Sequence, residues 1–239
     1  MLIRTAALTD IGKVREENED RFLRDDELRL YAVADGIGGL AGGAQAAEET
    51  VSRLHELVRA TPEGADCDLA ALVPAINERV AELGRTIDPN FGIGTTLVAG
   101  RIIGEQLRLI HIGDSVCYLI RAGALQKITE DHTVENEIKA KHGHAAMLFL
   151  NPRTRNALTR CIGQQGSPVP DVITRDLAAG DRILLCSDGI SRFIPEDEIA
   201  DVIAQATDPA QAMRSLIVFA DSRGGIDNAT GVAIFVDEV

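Results

Sequence analysis

The chain has 239 residues, 45% of them apolar, and carries 24 Lys and Arg against 37 Asp and Glu, a net charge of −13. That apolar fraction supports a packed core rather than a disordered chain, and the length suits one large domain or two small ones. The acidic balance argues against nucleic acid as a partner, and with no apolar run near the roughly 18 residues of a membrane span, no membrane partner is expected.

The N-terminus, MLIRTAALTDIGKVREENED, meets acids too early for a secretory signal, so the expected location is cytoplasmic. Short strands are predicted at 1–8 and 20–24, and a stronger, mostly buried one at 28–35 (LRLYAVAD). Residues 43–60 carry Ala47, Val51, Leu54, Leu57 and Val58 at helical spacing. A second helix is predicted over 69–83 behind Asp68 as cap, with Pro74 in its early part. From Gly94 the period changes to short runs split by glycine or polar turns: TTLVAGRII, QLRLIHIG, VCYLIRAG and ALQKIT, an antiparallel meander. HTVENEIKAKHGH then suggests a helix and NPRTRNALTRCIGQQGSP a loop-rich excursion. Strands return at 171–177 and 181–188, followed by helices near 195–206 and 208–222 and a closing strand at 229–236. Strands in hairpin order with helix pairs between them predict an α+β fold, antiparallel sheets flanked by helices.

VADGIGGLAGG at 33–43 ends a buried strand in an acid and then in glycine. Gly36-x-Gly38-x-x-Ala41 fits the loose dinucleotide fingerprint, but the segment after residue 60 reads as helix where a βαβ unit needs a strand. The other reading makes Asp35 a hard oxygen ligand, with glycine letting backbone approach a metal. Repetition favours it. SDG at 187–189 echoes ADG at 34–36, LIHIGDS places Asp114 after a strand, and Asp227 and Asp20 stand just before others. Single acids at strand ends are ordinary turn residues. Five meeting at one edge would repel strongly unless paired or bound to cations, and an all-oxygen set selects Mg²⁺ or Mn²⁺. Two such ions about 3.5–4 Å apart form a phosphoryl-hydrolysis centre.

NED at 18–20, ADGIGG at 34–39, GTT at 94–96, GDS at 113–115, SDG at 187–189 and DNAT at 227–230 occur in the order found in metal-dependent, type 2C serine/threonine protein phosphatases. The resemblance runs from Thr9 to Val236, and TRNALTRCIG at 154–163 resembles the flap segment of the bacterial branch. It implies a four-layer α-β-β-α sandwich forming one phosphatase domain over 1–239, with a flap subdomain at 131–167. It implies two Mn²⁺ or Mg²⁺ ions per chain, with Asp35 bridging them, the Gly36 carbonyl on one, and Asp188 and Asp227 completing the set. Asp35, Asp188 and Asp227 are thereby the expected catalytic residues. Asp20 resembles the acid that contacts a metal or its waters, with Glu19 behind it; Asn228 either orients Asp227 or a water or serves in an Asx turn, and Asp114 with Asp188 resembles the pair for a weaker third ion. Arg15 matches the phosphate-binding arginine, whose planar fork suits phosphate oxygens.

The expected reaction is hydrolysis of phosphoserine and phosphothreonine on proteins by metal-activated water, opposing a Ser/Thr kinase, in a monomer. A regulatory binding module that keeps the fold but hydrolyses poorly is the alternative. Two positions depart from the resemblance. Ile37 stands where many relatives have a histidine and cannot donate a proton, and Val116 replaces the usual arginine after GDS, which removes an expected ion-pair partner from the Asp114 loop. Four scattered cysteines (Cys67, Cys117, Cys161, Cys186) read as reduced, buried thiols, and no phosphocysteine intermediate is expected. Among the histidines, His55 reads as a surface or boundary residue, His111 as a hydrogen-bonded core residue, and His132 as a candidate for a substrate-side role. His142-Gly-His144 has the residue types for zinc but no nearby cysteine. Arg153, Arg155 and Arg160 in the flap are candidates for attracting phosphopeptide.

Overall fold

The computed structural model describes residues 1–37, 42–62, 67–151 and 154–239. Among the described residues, ten strands form two five-stranded sheets in which neighbouring strands pair antiparallel. The first sheet runs β1 (Leu2–Asp10), β10 (Ala229–Glu238), β9 (Arg182–Cys186), β6 (Val116–Arg121), β7 (Ala124–Lys127). The second runs β2 (Asp20–Asp25), β3 (Leu30–Asp35), β4 (Leu97–Ile103), β5 (Gln106–Ile112), β8 (Asp171–Asp176). Helices α1 (Gly43–Arg59) and α2 (Leu69–Ile87) cover the second sheet, and α4 (Asp188–Ser191), α5 (Glu196–Gln205) and α6 (Pro209–Ser222) cover the first. Between β7 and β8 lie α3 (Val134–His142) and a 3-10 turn at His144–Phe149.

Three apolar layers follow from strand alternation, because successive side chains point to opposite faces. Leu30 and Ala32 face the first helix pair, where Leu54, Val73, Ile76 and Val80 pack. Tyr31 and Val33 face the other sheet and meet Val98, Leu109, Ile183, Leu185 and Ile234. Leu184, Cys186, Tyr118 and Phe235 turn outward against Ile199, Ile203, Met213 and Leu216. Central strands covered on both faces must be apolar at nearly every position, which is why 30-LYAVA-34 reads as a continuous run.

The boundaries differ from the sequence expectations for local reasons. Asp25 accepts the backbone N–H groups of Glu27 and Leu28 in a turn, so β3 starts at Leu30 rather than at Leu28. Helix α2 continues past 83 through Gly84, where a Cβ would press on the backbone of Ile93, and Asp68 caps it by accepting from Ala70. The segment expected as strand to 188 ends at Cys186, and Asp188 instead opens the short helix α4.

Leu54 is fully buried at the contact between α1 and the second sheet. Leu54→Ala is expected to cost about 2–5 kcal/mol in urea unfolding, by lost burial plus a cavity. A cost below ~1 kcal/mol would mean that α1 does not close this layer.

Candidate metal centre

Antiparallel pairing puts the ends of β3, β5 and β9 at the same edge as the beginnings of β2, β6 and β10. Asp20 opens β2 directly opposite Asp35 at the end of β3. Val116 of β6 and Gly231 of β10 both pair with Cys186 of β9, which brings the Asp114 turn, the residues before β10 and Asp188 to one place. The result is a cavity of about 210 Å³ lined by Arg15, Glu19, Asp35, Gly36, Ile37, Thr96, Asp114, Asn156, Leu158, Asp188, Arg192, Asp227 and Asn228. All of the site residues named from sequence line it except Asp20, which lies beneath it, only 1% exposed. A larger hollow of about 580 Å³ lies between α2 and residues 163–167, but its walls are mostly glycine, amide and apolar groups without converging carboxylates.

Hydrogen bonds clamp the backbone around Asp35. The Asp35 amide donates to Thr96 Oγ1 at 2.9 Å, and its carbonyl accepts from Thr96 N at 2.9 Å and Thr95 Oγ1 at 2.8 Å. Thr96 Oγ1 also meets Ser115 Oγ at 2.7 Å, which ties the GTT segment to the GDS turn. Glycine is required at position 36, where a Cβ would run into the backbone of Gly43 and the carbonyl of Glu19. Gly38 and Ala41 of the same stretch, like Arg153, lie outside the described residues. Asn228 supports the site by stapling a loop. Its Oδ1 accepts from Glu19 N at 2.9 Å, and its Nδ2 donates to the carbonyls of Ile11 and Glu17. Its backbone N–H, not its side chain, donates to Asp227, at 2.9 Å.

The electrostatics are those of crowded anions. Burial, followed by the charges of Asp20, Asp188, Asp114 and Asp227, pushes the Asp35 carboxyl well above its usual range. Burial also carries Asp20 up to about 7, against the hydrogen bonds it accepts from Ser187 and Thr230. Asp114 rises to about 7 through burial and the Asp188 charge, opposed by Arg192. Asp188 is raised as well, chiefly by burial, with Arg192 pulling the other way. Asp20 Oδ2 accepts from Ser187 Oγ at 2.7 Å, while its buried Oδ1 has no hydrogen-bond partner in the protein. An orphaned carboxylate oxygen beneath an all-oxygen cluster fits a hard divalent cation.

Two guanidinium groups flank the cavity. Arg15 pairs with Asp227 at 2.9 Å and approaches Glu19 at 4.0 Å. Arg192, not singled out from sequence, pairs with Asp114 at 2.5 Å and Asp188 at 2.7 Å. The expectation that Val116 leaves the Asp114 loop without an ion-pair partner is therefore corrected: Arg192 supplies one from another element, and Val116 is buried in the helix-side core. The signal was present, since Arg192 stands four residues after Asp188 and helical spacing puts the two on one face. It also makes Cys186-x₅-Arg192 a match to the C-x₅-R spacing of cysteine-based phosphatases. Structure removes that chemistry: Cys186 is fully buried against α4 and α6, and burial pushes its thiol well up.

A Protein phosphatase 2C family model matches residues 13–219. The chain belongs to the protein phosphatase 2C family. It is 30% identical to the serine/threonine phosphatase stp of Listeria welshimeri over 93% of this chain and 91% of that protein. The S. agalactiae serine/threonine phosphatase superposes with a TM-score of 0.89 at 29% identity, covering 99% of this chain and 100% of the other. The catalytic domain of PstP, solved in complex with two manganese ions, is 35% identical with a TM-score of 0.82 over 99% of both chains.

Away from the centre, several expectations change. His132 is buried rather than substrate-facing: its backbone N–H donates to the Gly113 carbonyl at 2.8 Å and its ring Nδ1 accepts from Gly113 N at 3.1 Å. His111 lies in the core as expected, yet neither ring nitrogen has a hydrogen-bond partner. His111, His132 and Asp171 bring potential ligand atoms within 4.8 Å of one another. Nδ1 of His132 accepts from Gly113, its Nε2 lies 3.2 Å from Asp171 and 3.1 Å from Arg160 Nη1, and Arg160 already supplies the cation to Asp171 at 2.8 Å. That is an ion-pair network rather than a metal site. His142 and His144 are exposed and belong to no such group among the described residues. Arg155 pairs with Glu135 and Arg160 with Asp171, so both tether their own segment. The cysteines are free, with Cys67, Cys117 and Cys186 buried and Cys161 half-buried.

The raised acids set a pH dependence. Asp20 and Asp114 titrate near 7 when folded and near 4 when unfolded, so between those values the native state holds the extra protons. Stability of the metal-free protein therefore falls as pH rises from about 4 to 7. Mn²⁺ at about 100 times its Kd adds ~2.7 kcal/mol, or about 5–10 °C in Tm, at pH 7.5, and less at pH 5, where protons compete. Thermal melts at both pH values with and without Mn²⁺ check this; an equal Mn²⁺ effect at both would contradict it.

Proposed function

We propose that the chain hydrolyses phosphoserine and phosphothreonine monoesters on proteins, reversing a Ser/Thr kinase, at a binuclear centre of Mn²⁺ or Mg²⁺. The observation that carries this is the meeting of Asp35, Asp114, Asp188 and Asp227, from four separate strand ends, in one cavity with Arg15 at its side. Asp35, the Gly36 carbonyl, Asp188 and Asp227 would hold the ions, with Asp20 behind them. A relative at 35% identity that binds two manganese ions supports Mn²⁺. When bound, the ions lower the pKa of water to supply a nucleophile and stabilise charge developing on the phosphoryl oxygens.

The chain's own residues set the rest. Arg15 is half-exposed and directs a guanidinium fork at the cavity, where it binds the incoming phosphoryl group by charge-assisted hydrogen bonds. Asn228 and the Thr95–Thr96 pair keep the acids from relaxing apart as charge shifts. Ile37 presents hydrocarbon, so the proton for the leaving alkoxide comes from water rather than from that side chain. Residues 131–167 act as a flap: Asn156 and Leu158 wall the cavity, the Thr95–Ile162 bridge hems the segment to the sandwich, and the Thr133–Leu158 bridge ties it to itself. The enzyme works as a cytoplasmic signalling protein and as a monomer; among the described residues no helix is long and apolar enough to cross a membrane.

Asp35→Asn is expected to lower kcat on p-nitrophenyl phosphate and on a phosphothreonine peptide by about a thousandfold, ~4 kcal/mol of transition-state stabilisation. The metal-free variant should melt no lower than the wild type, since a repelling charge has gone. Arg15→Ala should raise KM about tenfold with a smaller effect on kcat. Wild-type turnover no higher than background with Mn²⁺ would instead point to the regulatory binding module, and retained turnover in Asp35→Asn would remove Asp35 from the chemistry.

A further inference from the structure

Asp114 and Asp188 come from different parts of the chain and are nearly buried, at 8% and 9% exposure. Asp114 sits in the turn between β5 and β6, and Asp188 opens α4. Two carboxylates brought together this way need a cation between them. Arg192 provides it, with one arm of its fork on each acid: Nη2 to Asp114 Oδ2 at 2.5 Å and Nη1 to Asp188 Oδ2 at 2.7 Å. One turn of α4 separates Arg192 from Asp188, so the helix itself sets the guanidinium in place. The group is half-buried and lines the same cavity as the other acids, where Asp35 adds to the field that holds its charge. A planar fork that meets two acids at once is a fixed counter-ion that cannot diffuse away.

We infer that Arg192 is a built-in cation holding the position that a further divalent ion would otherwise take between Asp114 and Asp188, so that this chain saturates at two bound ions rather than three. The inference rests on the proposed metal centre but asks a different question of it. Asp188 then divides its duties, with Oδ2 committed to Arg192 and its other oxygen left for the paired ions.

The test is a count of bound Mn²⁺ by equilibrium dialysis read out by electron paramagnetic resonance, at pH 7.5 and up to millimolar free Mn²⁺. Wild type is expected to stop at two. Arg192→Gln should gain a third, weaker ion, and Arg192→Gln with Asp114→Asn should return to two. Circular dichroism melts confirm that each variant is folded; Arg192→Met carries the same expectation should the glutamine variant not fold. Three ions in the wild type, or two in Arg192→Gln and Arg192→Met, would overturn the inference while leaving the metal centre standing. No Mn²⁺ bound by the wild type would overturn both.

Discussion

Like charges held close together in a protein interior govern this molecule. Asp20, Asp35, Asp114 and Asp188 are all pushed upward by burial and, in varying degree, by each other. A fold that keeps such a cluster must hold it against its own repulsion and must be repaid by cations. The structure shows both sides of that balance. Hydrogen bonds from Thr95, Thr96, Ser115, Ser187 and Asn228 fix the backbone or side chains around the acids, and Arg15 and Arg192 bring positive charge to the cavity. Neither arginine reaches Asp20 Oδ1, which remains without a protein partner. What is left over is the charge and the geometry that paired divalent ions would satisfy.

The sandwich exists, in this view, to present strand ends. Antiparallel neighbours alternate direction, so one edge of two stacked sheets gathers the ends of some strands and the starts of others. Five segments distant in sequence thereby reach one cavity without any long loop. Glycine appears where two backbones must nearly touch, as at Gly36 against Gly43 and Glu19, and at Gly113, whose left-handed backbone turns beneath Thr96. His132, which follows β7, secures that same turn through paired hydrogen bonds to Gly113. Through that turn, the segment leading into α3 and the Asp114 loop are mechanically joined.

Much of this was legible in the residues themselves. Apolar alternation and turn glycines gave the strands, helical spacing gave α1, α2, α5 and α6, and the repeated Asp-Gly endings marked the cavity. What escaped notice were contacts between partners far apart in sequence. His132 looked like a residue free to meet substrate because nothing local shows that Gly113 packs against it. Arg155 and Arg160 looked available because their acids, Glu135 and Asp171, lie 20 and 11 positions away. The strand expected over 181–188 hides the role of Arg192, because in an extended chain residues i and i+4 lie about 13 Å apart and do not meet. Once Asp188 is known to open α4, the pairing follows from the spacing.

Anomalous diffraction at the manganese edge from crystals grown with Mn²⁺ tests the central claim most directly. The account predicts two strong peaks among Asp35, Asp188 and Asp227, with Gly36 beside them and the Arg192 fork still on Asp114. Peaks at the surface only, or at the His111, His132 and Asp171 group, with the carboxylate cavity empty, would contradict it.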